Sequence, residues 1–131
     1  MEKILQRTLR DSIDAKEALA RTQSEQILEL ARMMIACIRR GGKILIFGNG
    51  GSAADAQHMA AEFVNRYLIN RPPMAALALT TDTSILTSVG NDFSYDEIFR
   101  KQVQALGRSE DLALGISTSG RSKNVQLALE A

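Results

Sequence analysis

Lys43-Ile44-Leu45-Ile46-Phe47-Gly48-Asn49-Gly50-Gly51-Ser52 is the stretch on which the fold is read, together with the segment Ala53 to Tyr67 that follows it. Ile44 to Phe47 is an apolar run of the length of a buried strand, and Gly41-Gly42 stops whatever precedes it. The loop Gly48 to Ser52 holds three glycines, whose backbone can take φ > 0 and approach a ligand closely. Ser52 is an N-cap residue type, so a helix is expected from Ala53 to Tyr67, with His58 and Glu62 inside it. A strand that turns through glycines into a helix start makes an anion site from free N–H groups and the helix dipole.

Outward from that stretch the same pattern recurs. Met74 to Leu79 is a second apolar run, followed by the polar loop Thr80-Thr81-Asp82-Thr83 and a short helix expected over Ser84 to Val89. Gly90-Asn91-Asp92 reads as a turn, and Tyr95 to Leu106 as a further helix. Leu112 to Ile116 is a third apolar run, leading into Ser117-Thr118-Ser119-Gly120-Arg121-Ser122 and a helix from about Lys123. Upstream, Ile4, Leu5, Leu9, Ile13 and Leu19 form a narrow helical stripe between charges, suited to packing on another subunit. Ser24 opens a second helix whose apolar face is Ile27, Leu28, Ala31, Met34, Ile35 and Ile38, closed by Arg39, Arg40 and Gly41.

Strands alternating with helices predict an α/β fold: a parallel β-sheet sandwiched by helices. Three strands are few for such a layer, so the domain is expected to continue beyond Ala131. The chain is read as one domain over 1–131, with N-terminal helices over 1–40 and an α/β core over 43–131. Its 131 residues, 45% hydrophobic and 24% charged with net charge +1, are those of an ordinary globular chain. No basic footprint for nucleic acid and no membrane-spanning run is visible. The single cysteine, Cys37, lies among apolar residues and reads as a small buried hydrophobe; a cytoplasmic location follows from cysteine usage.

In parallel sheets ligands bind at the carboxyl ends of the strands, so the loops Gly48–Ser52, Thr80–Thr83 and Ser117–Ser122 are expected to converge on one crevice. Four hydroxyls, Ser117, Thr118, Ser119 and Ser122, around a helix start suit a phosphate held by neutral hydrogen bonds; single serines would be mere caps and turn formers. The glycine loop lacks both the dinucleotide fingerprint and the P-loop ending, which disfavours dinucleotide and ATP sites. His58 and Glu62, four apart, share a helix face and can ligate one metal ion or act as an acid–base pair. Against this, Glu62 could pair with Arg66 and leave His58 an ordinary helix residue. Asn91-Asp92 is a turn, a cap for the helix near Tyr95, or a binder of sugar hydroxyls.

Gly48-Asn49-Gly50-Gly51-Ser52, the helix from Asp55 through His58 and Glu62 to Phe63, Gly90-Asn91-Asp92-Phe93, and Gly115-Ile116-Ser117-Thr118-Ser119-Gly120 together resemble the phosphoheptose isomerase (sedoheptulose-7-phosphate isomerase) family. Its fold is the sugar isomerase (SIS) domain, a flavodoxin-like three-layer α/β/α arrangement. The resemblance implies conversion of sedoheptulose 7-phosphate to D-glycero-D-manno-heptose 7-phosphate through an enediol, for bacterial heptose and lipopolysaccharide biosynthesis. It further implies a cytoplasmic, zinc-dependent homotetramer. By position it makes Asn49, Gly50, Gly51, Ser52, Asn91 and Asp92 substrate contacts, and Ser117, Thr118, Ser119 and Ser122 the phosphate site. His58 and Glu62 become zinc ligands, with Glu62 also the catalytic base. The family's other two zinc ligands, a glutamine and a histidine that is also its general acid, lie beyond the position of Ala131. Little or no isomerase activity is therefore expected of the chain as it stands. A second resemblance, to the non-catalytic DnaA initiator-associating protein, covers Ser52–Asn65 and Thr80-Thr81-Asp82 and implies an adaptor; a sugar-phosphate sensor is a third possibility. Gly90-Asn91-Asp92 and the serine at position 119 favour the enzyme.

Overall fold

A computed structural model describes all residues, Met1–Ala131. Ile44–Gly48 forms strand β1, buried along its whole length. On one side it pairs in parallel with β2 (Ala76–Ala78), on the other with β3 (Leu112–Ile116), giving the order β2-β1-β3. The registers run Ile44↔Ala76 to Ile46↔Ala78, and Ile44↔Leu112 to Gly48↔Ile116. The expected second strand, Met74 to Leu79, is thus trimmed at both ends, although the Leu79 N–H still donates to Ile46 O at 2.9 Å.

Side chains alternate across a strand, so β1 serves two cores. Leu45 and Phe47 pack with Leu79, Ile98, Phe99, Val125 and Ala128. Ile44 and Ile46 pack with Cys37, Ala56, Ala60 and Ala78. The first face is covered by α4 (Thr83–Asp92), the 3₁₀ turn Tyr95–Glu97, α5 (Arg100–Leu106) and α6 (Lys123–Leu129). The second is covered by α3 (Gly51–Val64) and the last turns of α2 (Ser24–Arg39). This is the three-layer arrangement expected, and the order 2-1-3 is that of flavodoxin-like sheets. Cys37 is fully buried, and burial, with the nearby Asp111 charge, pushes its thiol pKa up, so it behaves as the small hydrophobe foreseen.

Several element ends differ from the sequence reading. Helix α3 starts at Gly51, not after a Ser52 cap: Gly50, at φ 56°, occupies the N-cap and reverses the chain, which puts Ser52 in the buried first turn. It stops at Val64, three residues short of Tyr67, where the Arg71 guanidinium donates to Glu62 O at 2.7 Å and Phe63 O at 2.9 Å. Gly90-Asn91-Asp92 is not a turn: α4 runs through it, because the Phe93 N–H continues the ladder to Val89 O. Asp92 therefore caps nothing near Tyr95; Ser94 precedes the 3₁₀ turn. Asp82 caps α4 instead, accepting from the Ile85 N–H at 2.9 Å. The single helix expected over Tyr95 to Leu106 is a 3₁₀ turn followed by α5.

The chain divides into two compact units, Met1–Met33 and Met34–Ala131. The first contains α1 (Glu2–Thr22), which has no buried residue, and the opening turns of α2. Ser24 does not cap α2; its hydroxyl donates back to Ala20 O. No helix is long and apolar enough to cross a membrane. At the amino-terminal edge of the sheet, Asp111 ties β1 to β3. Its carboxylate takes an ion pair from Lys43 Nζ and accepts from the N–H groups of Lys43 (2.8 Å) and Arg108 (2.9 Å).

Candidate functional site

Because all three strands run parallel, the loops that follow them share one end of the sheet. β1 lies between β2 and β3, and the helices that leave β1 and β3 take opposite faces: α3 packs on the Ile44/Ile46 side and α6 on the Leu45/Phe47 side. The loops diverge at that point, the usual place for a ligand crevice in open α/β sheets.

After β1, the chain turns at Asn49 and Gly50. The Ser52 N–H donates to Asn49 O and the Ala53 N–H to Gly50 O, both at 3.0 Å, closing the first turns of α3. Gly48 admits no side chain; a Cβ there would stand 2.7 Å from Ile116 O and 2.8 Å from Ser52 Cβ. Gly50 and Gly51 have open space where a Cβ would be. Thr80, after β2, reaches the same helix: its hydroxyl donates to Ala53 O at 3.4 Å and accepts from Gln57 Nε2 at 3.3 Å.

After β3, Ser117 Oγ lies 3.0 Å from Ser122 Oγ and 3.5 Å from Ser119 Oγ. Ser119 Oγ also accepts from the Arg121 N–H at 3.1 Å, and Gly120 takes φ 65° to close the loop. Three hydroxyls thus converge in front of α6, while Thr118 is exposed and makes no protein hydrogen bond. Hydroxyls that satisfy one another in the free state can each turn to donate to an anion. Ser122 sits at the N-cap of α6 without a side-chain cap bond, so its hydroxyl is held only by Ser117.

On α3, His58 Nε2 and Glu62 Oε1 are 3.2 Å apart, and the Glu62–Arg66 pairing weighed against this does not form. The other Glu62 oxygen, Oε2, is buried without a hydrogen-bond partner. A buried carboxylate oxygen left unpaired is costly, and calls for a partner such as a water, a donor hydrogen or a cation. Two ligands on one tetrahedral zinc, at about 2.0–2.2 Å each, stand roughly 3.3–3.5 Å apart. At 3.2 Å the His58–Glu62 pair is at hydrogen-bond distance, just short of that separation, and near enough for both side chains to serve one ion. No three of the chain's His, Cys, Asp and Glu side chains gather into a metal-binding cluster, so these two donors are what it offers.

The structure therefore brings Asn49 against Asn124, two residues past the serine loop, and His58 against Glu62. It does not join Asn91 and Asp92 to either group: on the exposed last turn of α4, Asn91 Nδ2 donates to Asp92 Oδ1 at 2.8 Å. Two residues escaped sequence reasoning. Asn124, buried in the first turn of α6, exchanges paired amide hydrogen bonds with Asn49 at 2.8 and 2.9 Å. Tyr95 donates its hydroxyl to Asn49 Oδ1 at 2.9 Å. The only available signal was an asparagine where α6 calls for an apolar residue.

Residues 9–131 match the family model described as the SIS domain. The chain is 57% identical over 122 residues to a phosphoheptose isomerase of Desulfovibrio desulfuricans, covering 93% of this chain and 58% of the relative. It is also 57% identical over 124 residues to that of Shewanella loihica, covering 95% of this chain and 61% of the relative. It superposes on the solved phosphoheptose isomerases of Neisseria gonorrhoeae (TM-score 0.90, 46% identity) and Francisella tularensis (TM-score 0.92, 40% identity). Each superposition covers 98% of this chain and 67% of the other. The chain thus spans about three-fifths of the length of the curated relatives it matches.

Proposed function

The chain belongs to the SIS domain family, and from that premise we propose that it is the sugar-phosphate-binding part of a phosphoheptose isomerase. The reaction is the interconversion of sedoheptulose 7-phosphate and D-glycero-D-manno-heptose 7-phosphate. The observation that carries this reading is the convergence of Ser117, Ser119 and Ser122 at the carboxyl end of a parallel sheet, in a chain 57% identical to enzymes of that name.

The residues act as follows. Ser117, Ser119 and Ser122, with Thr118 beside them, donate to the phosphate; energy gained there, remote from the reacting carbons, orients the sugar. Asn49, Gly50, Gly51 and Ser52 line the approach to the sugar. The Glu62 carboxylate takes a proton from C1 of the ketose, leaving an enediol, and returns it to C2; the hydroxyl proton moves from O1 to O2. His58 and Glu62 would be two of the ligands of a zinc ion, which when bound would supply Lewis-acid stabilisation of negative charge. Zinc takes at least one more protein ligand, and no further His, Cys, Asp or Glu side chain gathers beside these two. For Asn91 and Asp92 the reading keeps the contacts to sugar hydroxyls that the family resemblance implies, although in this structure they bond to each other and to neither site group.

The same reading includes a cytoplasmic homotetramer supplying heptose for bacterial lipopolysaccharide. Ile4, Leu5, Leu9 and Ile13, all more than half exposed on α1, support assembly of like chains. The test is to incubate the full-length protein with sedoheptulose 7-phosphate in D₂O. The proposal expects an aldoheptose 7-phosphate, with solvent deuterium at C2 to the extent that the proton held on Glu62 exchanges before its return. A protein that binds the sugar phosphate but forms no aldoheptose 7-phosphate would be a sensor, and one that binds none would refute the assignment.

A further inference from the structure

Asn124 is 3% exposed and stands two residues after Ser122. Its Nδ2 donates to Asn49 Oδ1 at 2.9 Å, and its Oδ1 accepts from Asn49 Nδ2 at 2.8 Å. Asn49 Oδ1 accepts a second bond from the Tyr95 hydroxyl. Both acceptor sites of the Asn49 amide are therefore filled and one of its two N–H groups is used, which leaves a single side-chain N–H for a ligand.

The bridge spans the place where the loops diverge. Asn49 follows β1, Asn124 lies in α6 behind the serine loop, and Tyr95 opens the 3₁₀ turn. A methyl-for-methyl contact could fill the same space but would tolerate sliding. Paired amide bonds are directional, and their length fixes the separation of the two loops to a few tenths of an ångström. Small displacements of positioning groups carry large functional penalties.

Resting on the sugar-phosphate reading above, we propose that Asn124 is a positioning residue: through Asn49, and with Tyr95, it sets the span between the serine loop and the glycine loop. A ligand that must touch both loops depends on that span. Inorganic phosphate, which engages the serine loop alone, does not.

The test compares these two ligands in the full-length protein and its variants Asn124→Ala, Asn49→Ala, the double variant and Tyr95→Phe. For Asn124→Ala, KM for sedoheptulose 7-phosphate is expected to rise about tenfold, while kcat and the Kd for inorganic phosphate stay within about twofold. The double variant should be no worse than Asn49→Ala alone. Tyr95→Phe, at an exposed position that leaves folding intact, should raise the same KM by about two- to fivefold. Equal weakening of both ligands marks a merely structural role and overturns the proposal. So does unchanged KM in folded Asn124→Ala or, should that variant not fold, in Tyr95→Phe. Wild-type protein that neither binds nor turns over sedoheptulose 7-phosphate overturns the functional reading and this inference together; wild-type turnover with unmoved variants overturns the inference alone.

Discussion

Glu62 has one oxygen beside His58 and one buried without a partner, and these two atoms foretell different losses. Glu62→Gln keeps the volume but removes the proposed base, so turnover should fall by at least about 10²–10⁴-fold, with inorganic phosphate affinity unchanged. Single-turnover kinetics beside phosphate titration would show the split. Asp111 is the opposite kind of residue, nearly buried and fully engaged. Burial alone would raise its pKa; the Lys43 ammonium and the Lys43 and Arg108 N–H groups outweigh this and hold it below the usual value of 3.8. Its contribution to stability is therefore complete above the unfolded value and is lost as pH falls through the lower folded one. Asp111→Asn should cost about 2–3 kcal/mol at neutral pH and flatten the acid limb, as read by urea unfolding across pH. At this scale the sequence was a partial guide. Spacing alone put His58 and Glu62 on one face, because helical period is local. Asn124 was invisible, because its partner lies 75 positions away and only the sheet order brings them together.

Helix ends were the least legible feature, for the same reason. Arg71 ends α3 by donating to the carbonyls of Glu62 and Phe63, and no local rule predicts a cap from nine residues downstream. Arg71→Ala should cost about 1.5–3 kcal/mol and loosen the turn that carries Glu62, measurable as faster amide exchange at the end of α3. Gly90 misled for a different cause: it was read as a turn former, yet it sits in α4 with negative φ. The strands were legible, since apolar runs between glycine- and serine-rich loops can hardly be placed otherwise in a parallel sheet. Gly115 shows what the runs conceal. A Cβ there would meet Val125 Cγ1 at 2.6 Å, and a β-branched side chain cannot swing clear. Gly115→Ala should push α6 off β3 at a cost of about 1–3 kcal/mol in chemical denaturation.

For the whole molecule, the alternation of strand and helix was enough to predict a layered sheet, because each parallel crossover needs a helix to cover it. Which strand lies in the middle was not predictable from periodicity, and it matters. β1 is bonded on both sides and buried along its length, whereas β2 pairs over only three residues. The sheet is therefore uneven in time as well as in space. Amides of β1 should be the last to exchange with solvent and those around Ala76–Ala78 among the first of the sheet. The glycine loop then rides on the most protected strand and the Thr80–Asp82 loop on the least protected one. A ligand would meet a fixed wall on one side and a yielding one on the other, and arrival and departure would be timed by the short strand.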